Sequence, residues 1–283
     1  MTTTKAPATF GAYQVDKLLG SGMHGETYLA ADLTGRRVAV KTIHADAVRD
    51  RKARSRLVTE VVALQSVHPA FVPTFIQDNT KTERPYFVME YVEGITVDDV
   101  IAGAGQLSDV ETERLAVRLT AILAATHAAG IAHGDFRGQN LIISRDGGIY
   151  LLDFGRAVLK AESRKEFRRR RRSDLRQLGE LIVLARNGRA PFGEDSSLAI
   201  ERFSEGRADV GVLTGRTRSV ALQLLRRQPG WRVGLSAKRA HRILVRGRSS
   251  RRRVWSGMFV MLVLVAGQSA AAGMVQDVAA CLP

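Results

Sequence analysis

A single cysteine, Cys281, stands in 283 residues, so no intrachain disulfide can form and a cysteine-built metal site is excluded. The N-terminus, MTTTKAPATFG, lacks the apolar run of a secretory signal, and export of the main body is not expected. There is no internal repeat and no low-complexity tract apart from one run of arginines. Acidic residues are scarce: 28 Asp and Glu face 43 Lys and Arg, a net charge of +15. The excess is concentrated at Arg164 to Arg176 and Lys238 to Arg253. Charge alone does not separate nucleic acid, a membrane surface and polyanionic substrates as partners, but the position of the second cluster does. With 45 % hydrophobic residues the chain has ample material for a core.

Long apolar runs are also absent until residue 254. From Val254 to Val275 no residue is charged, and 22 residues at helical rise span a hydrocarbon core. RGRSSRRR precedes the run and Trp255 lies at its edge, the pattern of a cytoplasmic basic flank and an interfacial aromatic. The expectation is a single-pass membrane protein: a basic juxtamembrane segment at 246–253, a transmembrane helix at 254–275, a short tail at 276–283 and the preceding domain in the cytoplasm. Nucleic acid is not expected as a partner. The bland alternative is a buried helix of the soluble domain. The ending CLP is one residue too short for a prenylation box.

Behind a flexible start at 1–12, the front of the chain reads as strands. YQVDKLLG, ETYLAADL, RRVAVKTI, FVPTFIQD and PYFVMEYV are short β-rich runs, which suit a small antiparallel sheet. One helix interrupts them, with Val58, Val61, Val62 and Leu64 at helical spacing. After Gly94 the patterns become helical. The class is α+β, with a sheet-rich unit at 13–92 and a helical unit at 93–245.

Gly20, Gly22 and Gly25 form a GxGxxG spacing followed by another strand. That is a hairpin able to lay backbone N–H groups over phosphates, where a dinucleotide fold would open a helix. Lys41 ends an apolar run, VAVK, and a buried lysine requires an anionic partner; Glu60 on the helix is the candidate. Asp135 and Asn140 lie five apart in HGDFRGQN, and Asp153 follows thirteen later in LLDFG. Phosphoryl transfer asks for a carboxylate to orient the acceptor hydroxyl and oxygen ligands for magnesium. Asp135 suits the first role, Asn140 and Asp153 the second.

Residues 13 to about 245 resemble the eukaryotic-type protein kinase family: the glycine loop, VAVK, the helix glutamate, MEYVEG at 89–94, HxD with a later Asn, and DFG. The resemblance implies a bilobal protein-kinase-like fold with ATP and Mg2+ as cofactors. It makes Met89 the gatekeeper and Glu90 to Val92 the hinge whose backbone binds adenine. It further implies that Arg137 stands where serine/threonine kinases place a lysine beside the transferred phosphate, with the charge kept and the geometry changed. His133 is expected to serve packing and backbone bonding.

Three departures qualify the function. Gly134 replaces the arginine that commonly grips a phosphorylated activation-loop residue. Between Gly155 and Asp174, the expected start of the central helix, there is no APE motif, and Arg232 thereby lacks its usual partner. Five arginines, Arg168 to Arg172, lie in that stretch; the bland reading is a solvated basic turn, and the alternative is that the mutually repelling charges bind a phosphorylated substrate, membrane headgroups or an acidic protein partner. Short segments after HGD also occur in lipopolysaccharide sugar kinases and RIO-type kinases. The expected function is a membrane-tethered, ATP-dependent serine/threonine protein kinase with a protein substrate. The alternatives are a kinase of a sugar, glycolipid or other small molecule, and a catalytically inactive scaffold.

Overall fold

The computed structural model describes residues 8–193, 195–226 and 234–246. The apolar run at 254–275, most of the basic flank before it, Arg232 and Cys281 lie outside the described residues. Among the described residues no helix is long and apolar enough to cross a membrane.

Strands β1 (Thr9–Phe10), β2 (Tyr13–Gly22), β3 (Gly25–Ala31), β4 (Arg37–Thr42), β5 (Phe75–Asn79) and β6 (Tyr86–Glu90) form one sheet in the order β1-β2-β3-β4-β6-β5, with every pair antiparallel. Period-two alternation gives the sheet two apolar faces. Val38 and Val40 of β4 join Phe10, Tyr28 and Tyr86 in an outer cluster. Ala39 faces the main core, and Lys41, two residues on, follows it to that side.

Helix α1 (Arg51–Ser66) is started by the Asp50 side chain, which accepts from the Lys52 N–H. Its inward face is Leu57, Glu60, Val61, Ala63 and Leu64. The sequence expectation is corrected here: Val58 and Val62 are 45 % and 39 % exposed, because the stripe that meets the sheet is centred on Glu60.

The larger unit begins with β7 (Gly94–Thr96), α2 (Val97–Ala104) and α3 (Asp109–Ala128). A reciprocal Ser108–Glu111 capping box starts α3. β8 (Ile131–Ala132), β9 (Leu141–Ser144), β10 (Ile149–Leu151) and β11 (Val158–Leu159) follow. β10-β9-β7 form one small sheet and β11-β8 another. Helices α4 (Arg164–Asn187), α5 (Ser196–Ser204), α6 (Gly215–Leu225) and α7 (Ala237–Val245) complete the described fold.

α4 overturns another expectation. The arginine run is not a turn before a helix starting at Asp174; the helix begins at Arg164. Ser163 caps it by accepting from the Glu166 N–H, and Glu166 pairs with Arg169 and Arg170. The local carboxylate relieves the repulsion that the run suggests. Gly179 brings α4 against Leu224 and Leu225, where an added Cβ would lie 3.0 Å from each side chain.

Candidate active site

Between the sheet and the helices lies a cleft of about 670 Å3, lined by residues from the β2–β3 hairpin, Lys41, Met89 to Val92, Asn140 and Asp153. Gly20, Gly22, Gly25 and Glu90 line it as well, so the structure gathers the sequence-derived binding residues in one place. The glycines differ in what they answer to. Gly25 has φ +139° and an added Cβ would meet the Thr42 carbonyl oxygen at 2.0 Å, so the fold itself requires it. At Gly20 and Gly22 an added Cβ would meet nothing within 4 Å. Packing does not demand glycine at those two positions, whereas a ligand approaching the hairpin backbone would.

Lys41 is 5 % exposed and Glu60 4 %. The ammonium donates to Glu60 and, at 2.7 Å, to Asp153 Oδ1. Burial opposes its charge, but the two carboxylates outweigh burial and hold its pKa above the ordinary lysine value. Burial raises Glu60. Burial would also raise Asp153, yet the Lys41 charge and hydrogen bond and the Gly155 N–H bring it down to about 2. Asp153 is the non-glycine residue with positive φ among the described residues, at 58°. Such a conformation persists where surroundings fix it, and here Lys41 and the Gly155 N–H at 3.1 Å do so.

Asp135, 9 % exposed, sits on the loop after β8. Arg137 forks onto it, Nε to Oδ1 at 2.8 Å and Nη2 to Oδ2 at 2.9 Å. Asn140 Nδ2 donates to the Asp135 carbonyl oxygen at 2.8 Å and to Oδ2 at 3.2 Å. With the Asn140 nitrogen so engaged, its amide oxygen is the atom left to ligate. A carboxylate and an amide oxygen are a hard-oxygen pair of the kind that would hold Mg2+. His133 accepts from the Asp135 N–H through Nδ1 at 3.3 Å, so Nε2 carries the proton toward the Leu152 carbonyl oxygen at 3.0 Å. Its ring packs edge-on against Phe154, centroids 4.9 Å apart.

Two residues support the site in ways the sequence did not indicate, one of them expected only as a helix start. Asp174, fully buried on α4, accepts from the His133 and Gly134 N–H groups at 2.9 and 2.7 Å and pairs with His127 Nε2 at 3.0 Å. Asp98, on α2, presses against Gly138, where an added Cβ would lie 1.9 Å from Oδ1, and it takes a backbone hydrogen bond from Gln139. Only a glycine at 138 in HGDFRGQN admits it, and that was the legible hint. Gly134 also gains a meaning of its own: φ is +79° and an added Cβ would meet the Arg156 carbonyl oxygen at 2.5 Å.

A strand-rich lobe closing a glycine hairpin over a paired lysine, with a loop carboxylate and asparagine below, defines the class of kinase-like phosphotransferase folds. Comparison with known proteins makes this particular. The Protein kinase domain family matches residues 13–174, and the chain belongs to that family. It is 31 % identical over 216 residues to a probable serine/threonine-protein kinase, SCO3848, of Streptomyces coelicolor, covering 67 % of this chain and 32 % of that protein. It is 34 % identical over 148 residues to the probable serine/threonine-protein kinase PknB of Corynebacterium glutamicum, covering 50 % and 23 %. With the serine/threonine-protein kinase PrkC of Bacillus subtilis it shares 28 % over 211 residues, 67 % and 32 % of the two chains. The chain thus spans about a third or less of the length of these curated relatives.

Proposed function

We propose that the chain is an ATP- and Mg2+-dependent serine/threonine protein kinase, tethered to a membrane through 254–275 with its kinase domain on the cytoplasmic side. The observation that carries the activity is the Glu60–Lys41–Asp153 chain of ion pairs, buried at Lys41 and Glu60 and half-open to solvent at Asp153, set opposite a hairpin whose Gly20 and Gly22 answer to no packing constraint. Lys41 holds phosphate oxygens, and Glu60 keeps its ammonium in place. Asn140 and Asp153 would hold Mg2+, which when bound would supply positive charge to the transferring group. Asp135 orients the acceptor hydroxyl and takes its proton as the new O–P bond forms and the bond to the ADP oxygen breaks. Arg137 occupies both Asp135 oxygens, so its half-exposed side chain must swing toward the phosphate as an acceptor arrives. The backbone at Glu90 and Val92 holds the base.

A protein acceptor is supported by the names of the relatives and by a second cavity of about 400 Å3 on the far side of the loop, walled by Phe136, Phe192 and Phe203. A small-molecule or glycolipid acceptor is the second reading, favoured by the eight residues that alone separate Gly155 from α4. The test is transfer from labelled ATP with Mg2+ by the full chain, given protein and glycolipid acceptors side by side. Label should reach protein in the wild type and fall by at least about a hundredfold in Asp135→Asn. Equal labelling in both would refute the assignment of Asp135, label confined to glycolipid would establish the second reading, and ATP binding without transfer would indicate a scaffold.

A further inference from the structure

Glu60 can serve Lys41 only while α1 lies against the sheet, and the helix is fastened there at two separated points. One is the Lys41 ion pair, supported by the Phe154 N–H to Glu60. The other lies nearly two turns earlier, about 9 Å along the axis at helical rise. There Arg54 spreads its guanidinium over four backbone carbonyls: Nε to Val48 at 2.7 Å, Nη1 to Thr80 at 3.4 Å, and Nη2 to Thr82 and Glu83 at 2.9 and 2.8 Å.

Three of those carbonyls belong to the turn joining β5 to β6. That turn is itself braced: the Thr82 hydroxyl spans the Asn79 and Arg84 carbonyl oxygens at 2.8 and 2.7 Å, and the Thr80 N–H reaches Asp78 Oδ1 at 2.8 Å. β6 pairs directly with β4, placing Phe87 opposite Lys41 and Tyr86 opposite Thr42. The strand that carries the lysine and the turn that receives the arginine are therefore one hydrogen-bonded body. The first fully buried residue of α1 is Leu57, and the turn that precedes it meets the core only through the half-buried Ala53, a small apolar contact beside the four carbonyls that Arg54 reaches. With glycine at 134 and Arg137 engaged on Asp135, position 134 offers no guanidinium to a phosphorylated segment, and the closed position of α1 rests on contacts of its own.

We propose that Arg54 is a positioning residue that fixes α1 closed on the β5–β6 turn, so that the Lys41–Glu60 pair is formed without a phosphorylation event. This rests on the kinase reading for its kinetic consequence but not for its structural one. Four carbonyls in fork geometry suit a guanidinium, and an ammonium satisfies them only in part.

The test is a double-mutant cycle in the full chain, Arg54→Met, Glu60→Gln and both together, with Arg54→Lys as the conservative variant. Hydrogen exchange of α1 amides is measured alongside transfer. Arg54→Met should lower kcat about tenfold with a smaller change in KM for ATP, yet less than about twofold further in the Glu60→Gln background, because residues acting as one unit are not additive. Arg54→Lys should recover part of the loss. Exchange should rise over α1 while β4 and β6 keep their protection. Additive losses, wild-type kcat in Arg54→Met, or exchange rising uniformly over the domain would overturn the proposal. Should the wild type transfer no phosphate, the kinase reading fails; the exchange pattern still decides whether Arg54 holds α1.

Discussion

Gly134 is the residue at which the sequence and the structure say different things about the same departure. As a sequence feature it is a missing arginine; in the fold it is a left-handed position, φ +79°, whose N–H reaches Asp174 and where an added Cβ would run into the Arg156 carbonyl oxygen. Restoring the arginine would therefore not restore a phosphate grip. Gly134→Ala should destabilise the protein by roughly 2–4 kcal/mol, combining the cost of positive φ with the 2.5 Å contact, and Gly134→Arg by at least as much. Denaturant unfolding of the two variants checks this, and a stable Gly134→Arg would contradict it. Asp153 gives a pH prediction. Its carboxyl is lowered from 3.8 to about 2, so the stability it adds is present above the unfolded value and is lost as pH falls through that interval. Since the side chain is 47 % exposed, screening reduces the effect to about 1 kcal/mol. The wild type should lose its advantage over Asp153→Asn between about pH 4 and 2 in acid unfolding curves; a gap that stays constant there would contradict the assignment. Glu60, raised by burial with the Asp153 charge adding to the shift, works in the opposite sense above the unfolded glutamate value, outside the interval compared.

At the scale of elements, what could be read in advance was what is chemically expensive. A lysine in an apolar strand, a glutamate on an apolar helix and oxygen ligands at fixed intervals have few inexpensive explanations, and the structure gathers Lys41, Glu60, Asn140 and Asp153 around one cleft. The strands were legible because alternation and turn residues are local. What was not legible depends on contacts between distant elements. Helix α1 shows it: Val58 and Val62 fit the helical period as well as Leu57 and Leu64, and only the sheet selects the face centred on Glu60. The start of α4 was in fact written locally, as SRKE, a cap residue with a glutamate three positions later, but the arginines that follow obscured it. Asp174 belongs to the same helix and ties it to the catalytic loop across forty residues. Asp174→Ala leaves the His133 and Gly134 N–H groups buried and unpaired, so it should cost at least about 3 kcal/mol. Asp174→Asn keeps one acceptor and should cost less. Thermal melts of the two variants supply the measurement, and equal losses would show that the carboxylate is not serving both amides.

For the whole molecule the question is how the described domain meets a surface. The charge of the chain is not spread evenly: α4 presents Arg164, Lys165, Arg168 and Arg169 to solvent, and a second basic stretch, Lys238 to Arg253, leads into the uncharged run at 254–275. An apolar run of that length and a basic flank act on a bilayer by different physics. Insertion follows from hydrocarbon transfer and is indifferent to salt, whereas arginines attract anionic headgroups only within a Debye length, about 10 Å at 0.1 M salt. The two contributions therefore separate in one experiment. The full chain should stay in the membrane pellet through a high-salt wash and leave it only with detergent. A chain lacking residues 254–283 should be released, and whatever remains bound at low salt should come off at about 1 M, where the Debye length is about 3 Å. If the shortened chain stays in the pellet at high salt, the apolar run is not the tether, and the surface that holds the protein must be sought on the kinase domain itself.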